Sequence, residues 1–195
     1  MLPPILQRVK DLGHVVFTNG DWNLNIVGIR AKEPRANKFD DMITCTYRDD
    51  GQWVTRCWKA TCDPGQYWLG HPMRVSGTAI LVPGQYRGVY KISKHRGAYD
   101  ALCQRNGRVK VYRDGNKDDI LDMDDETVID GYFGINIHRS SSSRESTQVD
   151  KWSAGCQVFA DPKAFDGSPN SLMELCRKQT SERGWKTFTY TLIED

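Results

Sequence analysis

Short runs of apolar, β-branched and aromatic residues of the kind found in β-strands recur along this chain. The strand-type runs cover residues 15–17, 24–29, 43–47, 53–58, 78–82, 86–92, 109–112 and 134–138. Successive side chains of a strand point to opposite faces of a sheet, so this pattern predicts a β meander. We expect a mainly β protein with a few helices, of the α+β class.

Turn residues support this interpretation in the first half of the chain. Asp50-Gly51 separates two strand-type runs and predicts a β-hairpin, because glycine accepts the positive φ that such turns need. Asp114-Gly115 repeats the same turn signal.

The C-terminus predicts one helix and one strand. Ser168-Pro169 is typical of a helix N-cap followed by proline, and Ser171 to Glu174 has the spacing of a capping box. The helix should continue to about residue 182 and end at Gly184. Residues 187–192 then alternate threonine with apolar side chains, which predicts a half-buried strand.

The N-terminal residues indicate a separate extension. The first dozen form a predicted short helix or arm that Gly13 closes, and the polar stretch 31–40 resembles a connection. We therefore expect an extension at residues 1–40 and a main domain at residues 41–195.

Charge and hydropathy exclude several classes of protein. The 27 Lys and Arg residues nearly balance 25 Asp and Glu residues, so the net charge of +2 gives no reason to expect a nucleic acid or an anionic membrane as partner. The sequence contains no apolar run of about 18 residues and no signal peptide at its start. We expect cytoplasmic synthesis, and therefore free thiols for the six cysteines. The sequence does not indicate the oligomeric state.

The residues with the clearest chemical potential are His138 and Cys156. His138 ends a strand-type run, and Cys156 follows the turn Ser153-Ala154-Gly155 before another apolar run. A histidine and a cysteine at the mouths of neighbouring strands can form a nucleophile and its base. Gly155 allows a tight turn, so that the backbone amides of Gly155 and Cys156 would face a developing oxyanion. The Ser153 hydroxyl would hold the histidine or the substrate.

The histidine, its spacing of fourteen residues and the Ser-x-Gly-Cys turn resemble the signature of the L,D-transpeptidases, the YkuD-like family. Residues 46–54 resemble the family's opening hairpin, and Pro83-Gly84-Gln85-Tyr86 resembles its Pro-x-Gly-x-Phe/Tyr strand. The resemblance covers residues 40–165 approximately. It implies a β-sandwich or barrel catalytic domain with a C-terminal helix and strand.

The resemblance also implies a function. Cys156 would attack a carbonyl of a peptidoglycan stem peptide with His138 as base, and an amine or water would resolve the acyl-enzyme, without a metal or cofactor. Arg139, Trp152 and Gln157 are candidates to bind the substrate. Without a signal peptide, the protein would reach the cell wall by release or another export route, as a phage lysin does.

The chain departs from the family pattern on both sides of the cysteine. Ala154 replaces the usual histidine or other polar residue, and Gln157-Val158 stands where an aliphatic residue followed by Arg or Asn is usual. Because the Arg or Asn contributes to the family's substrate site, the acceptor and the bond attacked stay open. Arg139, Arg144 or Lys151 would have to supply the missing charge.

Other interpretations were weighed. A non-catalytic structural or wall-binding module, or a cysteine peptidase or amidase acting on ordinary protein, would use the same fold differently. Cys57, Cys62 and His71 lack the second ligand pair of a zinc site, and the acidic run 118–126 lacks the glycine and glutamate of an EF-hand. We expect His95 in a solvated turn, with the rim of the substrate cleft as the alternative, and residues 140–146 in a mobile loop or lid.

Overall fold

Residues 1–32 and 35–195 are described by a computed structural model. The helices are α1 (Pro4–Asp11), α2 (Gln66–Gly70), α3 (Pro162–Phe165) and α4 (Leu172–Arg183). The strands are β1 (Asn25–Arg30), β2 (Asp41–Asp49), β3 (Gln52–Thr61), β4 (Thr78–Leu81), β5 (Gly84–His95), β6 (Tyr99–Gln104), β7 (Val109–Asp114), β8 (Ile129–Gly131), β9 (Ile137–Arg139), β10 (Gln157–Phe159) and β11 (Phe188–Glu194). The prediction of a mainly β protein with a few helices is confirmed.

Eight of these strands close a barrel in the order β1-β11-β5-β6-β9-β10-β3-β2. The strands β4, β7 and β8 form a second, small antiparallel sheet. The barrel interior is filled by large side chains without exposed surface, among them Tyr90, Phe159 and Tyr190. Leu81 and Val111 of the small sheet belong to the same hydrophobic cluster, so the two sheets share one core.

The predicted hairpin is present as β2 and β3. Asp50 and Gly51 both have positive φ values, 48° and 73°, which match the right-handed twist of the flanking strands. The second Asp-Gly pair makes no hairpin. After it the chain passes through a 3-10 turn (Asp125–Thr127) to β8, which pairs with β7.

The predicted boundary at residue 40 does not separate two units. β1 lies inside the barrel wall, parallel to β11 and antiparallel to β2. Residues 15–17 do not form the predicted strand, because side chains of Gln85 and Asn25 accept the hydrogen bonds of their backbone. The predicted connection 31–40 includes residues 33 and 34, which lie outside the described residues.

At the C-terminus, helix and strand are confirmed, with one correction. α4 begins after Ser171, not after Ser168, and Gly184 ends it in the left-handed conformation at φ 70°. Among the described residues, no helix has the length and apolar character needed to span a bilayer.

A buried ionic cluster lies at the end of β1. The Arg30 guanidinium pairs with the Asp63 carboxylate at 2.9 Å, and both side chains have almost no exposed surface. Burial raises the pKa of Asp63 and of Asp41, and each of these carboxyl groups is near another acidic residue. These two acids affect the pH dependence of stability considered below.

Candidate active site

The strands β9 and β10 determine where His138 and Cys156 lie. They run parallel, and Val158 of β10 lies beside His138 of β9. Continuing this register places Cys156 beside Asn136, on the same face as His138, because residues two apart on a strand share a face. Cys156 packs with Val158 in a cluster outside the barrel core, so this is the outer face.

The Cys156 side chain is partly exposed. Its sulfur accepts a hydrogen bond from the Asn136 N–H at 3.4 Å and lies 3.4 Å from the Gly134 carbonyl. Among the described residues these are its hydrogen-bond partners, and His138 is not one of them. Burial raises the pKa of Cys156 to about 11, opposed in part by the Asn136 N–H. The resting side chain is therefore a neutral thiol.

The His138 ring is held in one orientation. Its Nδ1 lies 2.7 Å from the Arg139 carbonyl, which only accepts hydrogen bonds, so Nδ1 carries the proton and Nε2 has the free lone pair. The Tyr99 hydroxyl donates to the same carbonyl at 3.2 Å. Burial and the neighbouring His95 lower the pKa of His138 to about 3, so the ring is neutral.

His95 belongs to this cluster, contrary to the expectation of a solvated turn. Its ring is buried and stacks on His138 with centroids 4.1 Å apart and planes 23° from parallel. Asn136 Oδ1 accepts from the Gln104 N–H, so Asn136 Nδ2 is the atom that donates to His95 Nδ1, at 3.2 Å. Burial, followed by nearby Arg96, lowers the pKa of His95 to about 4.

The buried position of His95 was not predicted, because the strand-type run 86–92 is shorter than the strand β5. The apolar alternation stops at Ile92, but β5 continues to His95 and pairs it with Tyr99. The turn signal is the Arg96-Gly97 pair, in which both residues have positive φ. This pair was visible in the sequence and would have placed His95 at a strand end.

Ser153 and Gly155 build the turn itself. Ser153 is fully buried, and its hydroxyl donates to the Cys156 carbonyl at 2.8 Å and accepts from the Gly155 N–H at 3.1 Å. Ser153 therefore holds the turn, rather than the histidine or the substrate. The Gly155 N–H is already engaged, which corrects its expected role as an oxyanion donor.

The Cys156 N–H is the backbone donor of the turn that has no acceptor among the described residues. The ladder with β9 begins one residue later, at Gln157. Gly155 has φ +113°, and a Cβ at this position would lie 2.2 Å from the Ala79 carbonyl oxygen. Because it has no Cβ, Gly155 allows the turn to approach β4 closely.

The three predicted substrate-binding residues lie in different places. Gln157 has no exposed surface, and its Oε1 accepts from the Tyr190 hydroxyl at 2.8 Å inside the barrel. Gln157 therefore supports the turn from inside the barrel, and its side chain is not accessible to a substrate. The Arg139 guanidinium lies 4.1 Å from the centre of the Tyr99 ring, next to His138.

Trp152 is 43% exposed and lines a cavity of about 470 Å³ with loop residues 141–150. That cavity is not lined by Cys156 or His138. The loop is anchored at its start, where the Ser140 hydroxyl donates to the Ala160 carbonyl. Its action as a lid stays a prediction.

The cysteines of the weighed zinc site are separated by the barrel wall. Cys57 is exposed, whereas Cys62 is buried and lies 3.6 Å from the Tyr190 hydroxyl. In the acidic run, Asn116 donates to the carboxylates of Asp118 and Asp122, so the loop is held by its own side chains. All six cysteines lie in the described residues and are free.

The histidine pair predicts a pH-dependent stability. The lowered pKa values of His95 and His138 lie below the roughly 6.5 of free histidine, so between these values the unfolded chain binds more protons. Stability should therefore rise with pH through this window and be complete above about pH 7. Each histidine accounts for about 2 kcal/mol between pH 5 and pH 8.

Asp41 and Asp63 oppose this effect, because an acid with a raised pKa stabilises the fold as the pH falls. The test therefore compares wild type with His95→Phe by urea unfolding at pH 5 and pH 8. Between pH 8 and pH 5, the unfolding free energy of the variant should fall by less than that of wild type. We expect this difference to be about 2 kcal/mol or more. Equal acid sensitivity would contradict neutral stacked rings.

The raised pKa of Cys156 predicts slow alkylation at neutral pH. In a Cys57→Ser background, the other four cysteines are buried and Cys156 is the accessible thiol. Its rate with iodoacetamide should rise about tenfold per pH unit from pH 7 to pH 10, since the thiolate fraction does so below a pKa of about 11. A free cysteine peptide, with a pKa of about 8.5, should level off within this range. A plateau for Cys156 below pH 9 would indicate a resting thiolate.

Comparisons of the chain with protein-family models, with curated proteins and with solved structures found no match.

Proposed function

We propose that this chain is a cysteine-nucleophile enzyme that acts on stem peptides of peptidoglycan. Cys156 attacks a peptide carbonyl, and an amine or water resolves the thioester. The reaction is thus L,D-transpeptidation, or L,D-carboxypeptidase or endopeptidase cleavage of the lysin type. The enzyme acts at the cell wall.

One observation supports this proposal most directly. A partly exposed thiol lies on the same barrel face as a histidine whose Nδ1–H is tied to a carbonyl and whose Nε2 is free. This is the orientation that a base needs in order to take a proton from a nucleophile. The absence of a direct bond to Cys156 among the described residues is compatible with catalysis, because such bonds often tighten only when substrate binds.

His138 takes up or releases a proton in each step of the proposed reaction. The Cys156 sulfur forms a bond to the carbonyl carbon while its proton passes to His138 Nε2, and the Cys156 N–H donates to the developing oxyanion. The imidazolium then gives its proton to the leaving amine as the C–N bond breaks. The incoming amine or water attacks the thioester and loses a proton to His138, and the imidazolium returns a proton to the departing Cys156 sulfur, which restores the thiol. Because the imidazolium charge forms together with the oxyanion charge, the site has no net charge before or after the transfer, and its burial is less costly.

The substrate class rests on the resemblance to the L,D-transpeptidases. We further propose that the barrel is the catalytic fold of that family, working without a metal or cofactor. Its site differs from the family pattern in Ala154, in Gln157 and in Val158, which stands where the family has Arg or Asn. We therefore expect a cation elsewhere in the chain to contact the substrate.

The proposal is tested by incubating the protein with purified sacculi and analysing soluble and linked fragments by mass spectrometry. We expect new cross-links or released stem-peptide fragments with wild type and none with Cys156→Ala. The fragments would also identify the bond. Cleavage of casein with intact sacculi would instead support a peptidase of ordinary protein.

The second candidate is a non-catalytic structural or wall-binding module. The observation that favours it is the raised pKa of Cys156, since a thiol that stays neutral at pH 7 is usually unreactive. A binding module would sediment with sacculi equally well as wild type and as Cys156→Ala, and it would leave the sacculi chemically unchanged.

A further inference from the structure

A small cavity beside the Cys156 turn has the chemistry of an anion site. Its volume is about 190 Å³, room for a group the size of several water molecules. The cavity is lined by Ala154 of the turn, Ala79 of β4, Phe133, Arg74 and Arg113, together with Met73, Gly77 and Thr78.

Cys156 itself does not line the cavity, but two residues close to it do, Ala154 and Phe133. Gly155 lies against the carbonyl of Ala79, and Ala154 is two residues before Cys156. On the other side, Phe133 precedes Gly134, whose carbonyl contacts the Cys156 sulfur. Because Ala154 is two residues from Cys156, at most about 7 Å along the chain, the cavity is within reach of the residue next to a carbonyl bound at Cys156.

Arg113 provides the positive charge. It is only 9% exposed, and its Nη1 donates to the Gly77 carbonyl at 3.1 Å. Its Nε and Nη2 are buried and have no hydrogen-bond partner among the described residues. A buried guanidinium with two free donors is costly unless a ligand pairs with them. Two donors in a fork match the two oxygens of a carboxylate.

The surroundings favour a negative ligand. Arg74 and Arg113 both approach the Phe133 ring, at 5.9 and 4.8 Å from its centre, so two cations share one cavity. The adjacent acid, Asp114, is on the other face of β7, where its Oδ2 accepts from the Asp122 N–H. No acidic side chain lines the cavity among the described residues.

We infer that Arg113, assisted by Arg74, binds a carboxylate of the substrate next to the carbonyl that Cys156 attacks. This inference rests on the proposed function for its substrate. It assigns to Arg113 of β7 the positive charge that Val158 does not provide.

The test uses two alkylating probes that differ in one group, N-iodoacetyl-alanine with a free carboxylate and its carboxamide. The Cys156 sulfur displaces iodide from either probe, forming a thioether and losing its proton to the buffer. Rates are measured at pH 9 in the Cys57→Ser background by mass spectrometry. We expect the carboxylate probe to react faster, and the ratio of the two rates to fall about tenfold in Arg113→Met.

Three variants control for folding and charge. Arg74→Gln alters an exposed side chain that the fold does not need, and it should lower the ratio about threefold. Arg113→Lys keeps the charge but loses the fork, and it should give an intermediate ratio. Arg87→Met removes an exposed arginine of β5 and should leave the ratio unchanged.

The inference would be overturned if the ratio of the two alkylation rates were the same in wild type, Arg113→Met and Arg74→Gln. It would also be overturned if neither probe labelled Cys156. The sacculus assay separates this outcome from the proposed function. Turnover of sacculi with an unchanged ratio would refute the carboxylate site alone. A ratio that depends on Arg113 without any turnover would refute the enzyme and keep the site.

Discussion

Replacing Gly155 by alanine should lower the free energy of unfolding by about 4 kcal/mol. Alanine at φ +113° is strained by about 1–3 kcal/mol, and its Cβ would lie 2.2 Å from the backbone oxygen of Ala79. Overpacking of this kind costs about 1–3 kcal/mol more, because β4 must move. Chemical denaturation followed by tryptophan fluorescence measures the change.

Gly167 is the matched control for this substitution. Its φ of +124° is similar, but a Cβ there would meet no atom within 4 Å. Gly167→Ala should therefore show the backbone strain without the collision, and destabilise by about 1–3 kcal/mol. Equal losses at both positions would mean that the turn does not depend on its close approach to β4.

The largest effect on activity should come from Cys156 and His138. Cys156→Ala removes the atom that forms the thioester, so turnover of sacculi should fall to background. His138→Gln keeps the size of the side chain but removes the base, and the rate should fall by about 10²- to 10⁴-fold. Release of soluble fragments, followed by chromatography, measures both.

Cys57→Ser is the control for the cysteine substitution, since Cys57 is an exposed thiol on β3, away from the turn. It should retain full turnover. If His138→Gln were as active as wild type, His138 would be excluded as the base, and His95 would become the candidate.

Signals between residues close in sequence predicted much of the fold. The Asp50-Gly51 hairpin, the stop at Gly184 and the C-terminal strand each depend on neighbours along the chain, and all three are present. The parallel pairing of β1 with β11 joins the two ends of the chain. Pairing at such separation depends on the closure of the whole barrel, which no local pattern indicates.

The candidate site shows the same limit. The sequence indicated His138 because it ends a strand-type run and Cys156 because it lies between a turn and an apolar run, and the register of β9 and β10 places them on one face. The stacking of His95 required the pairing of β5 with β6, which the apolar pattern did not show. Gln157 was assigned to the substrate, although alternation along β10 turns it inward once Cys156 faces outward.

The central claim is that the Cys156 sulfur forms a thioester with a stem peptide. The most direct test is intact-mass spectrometry of the protein, quenched in acid within seconds of mixing with a stem tetrapeptide, followed by peptide mapping. We predict a mass increase equal to the acyl part of the peptide, located on Cys156, removed by hydroxylamine and absent in Cys156→Ala. Products formed without any adduct in wild type, or with an adduct on another residue, would contradict the claim.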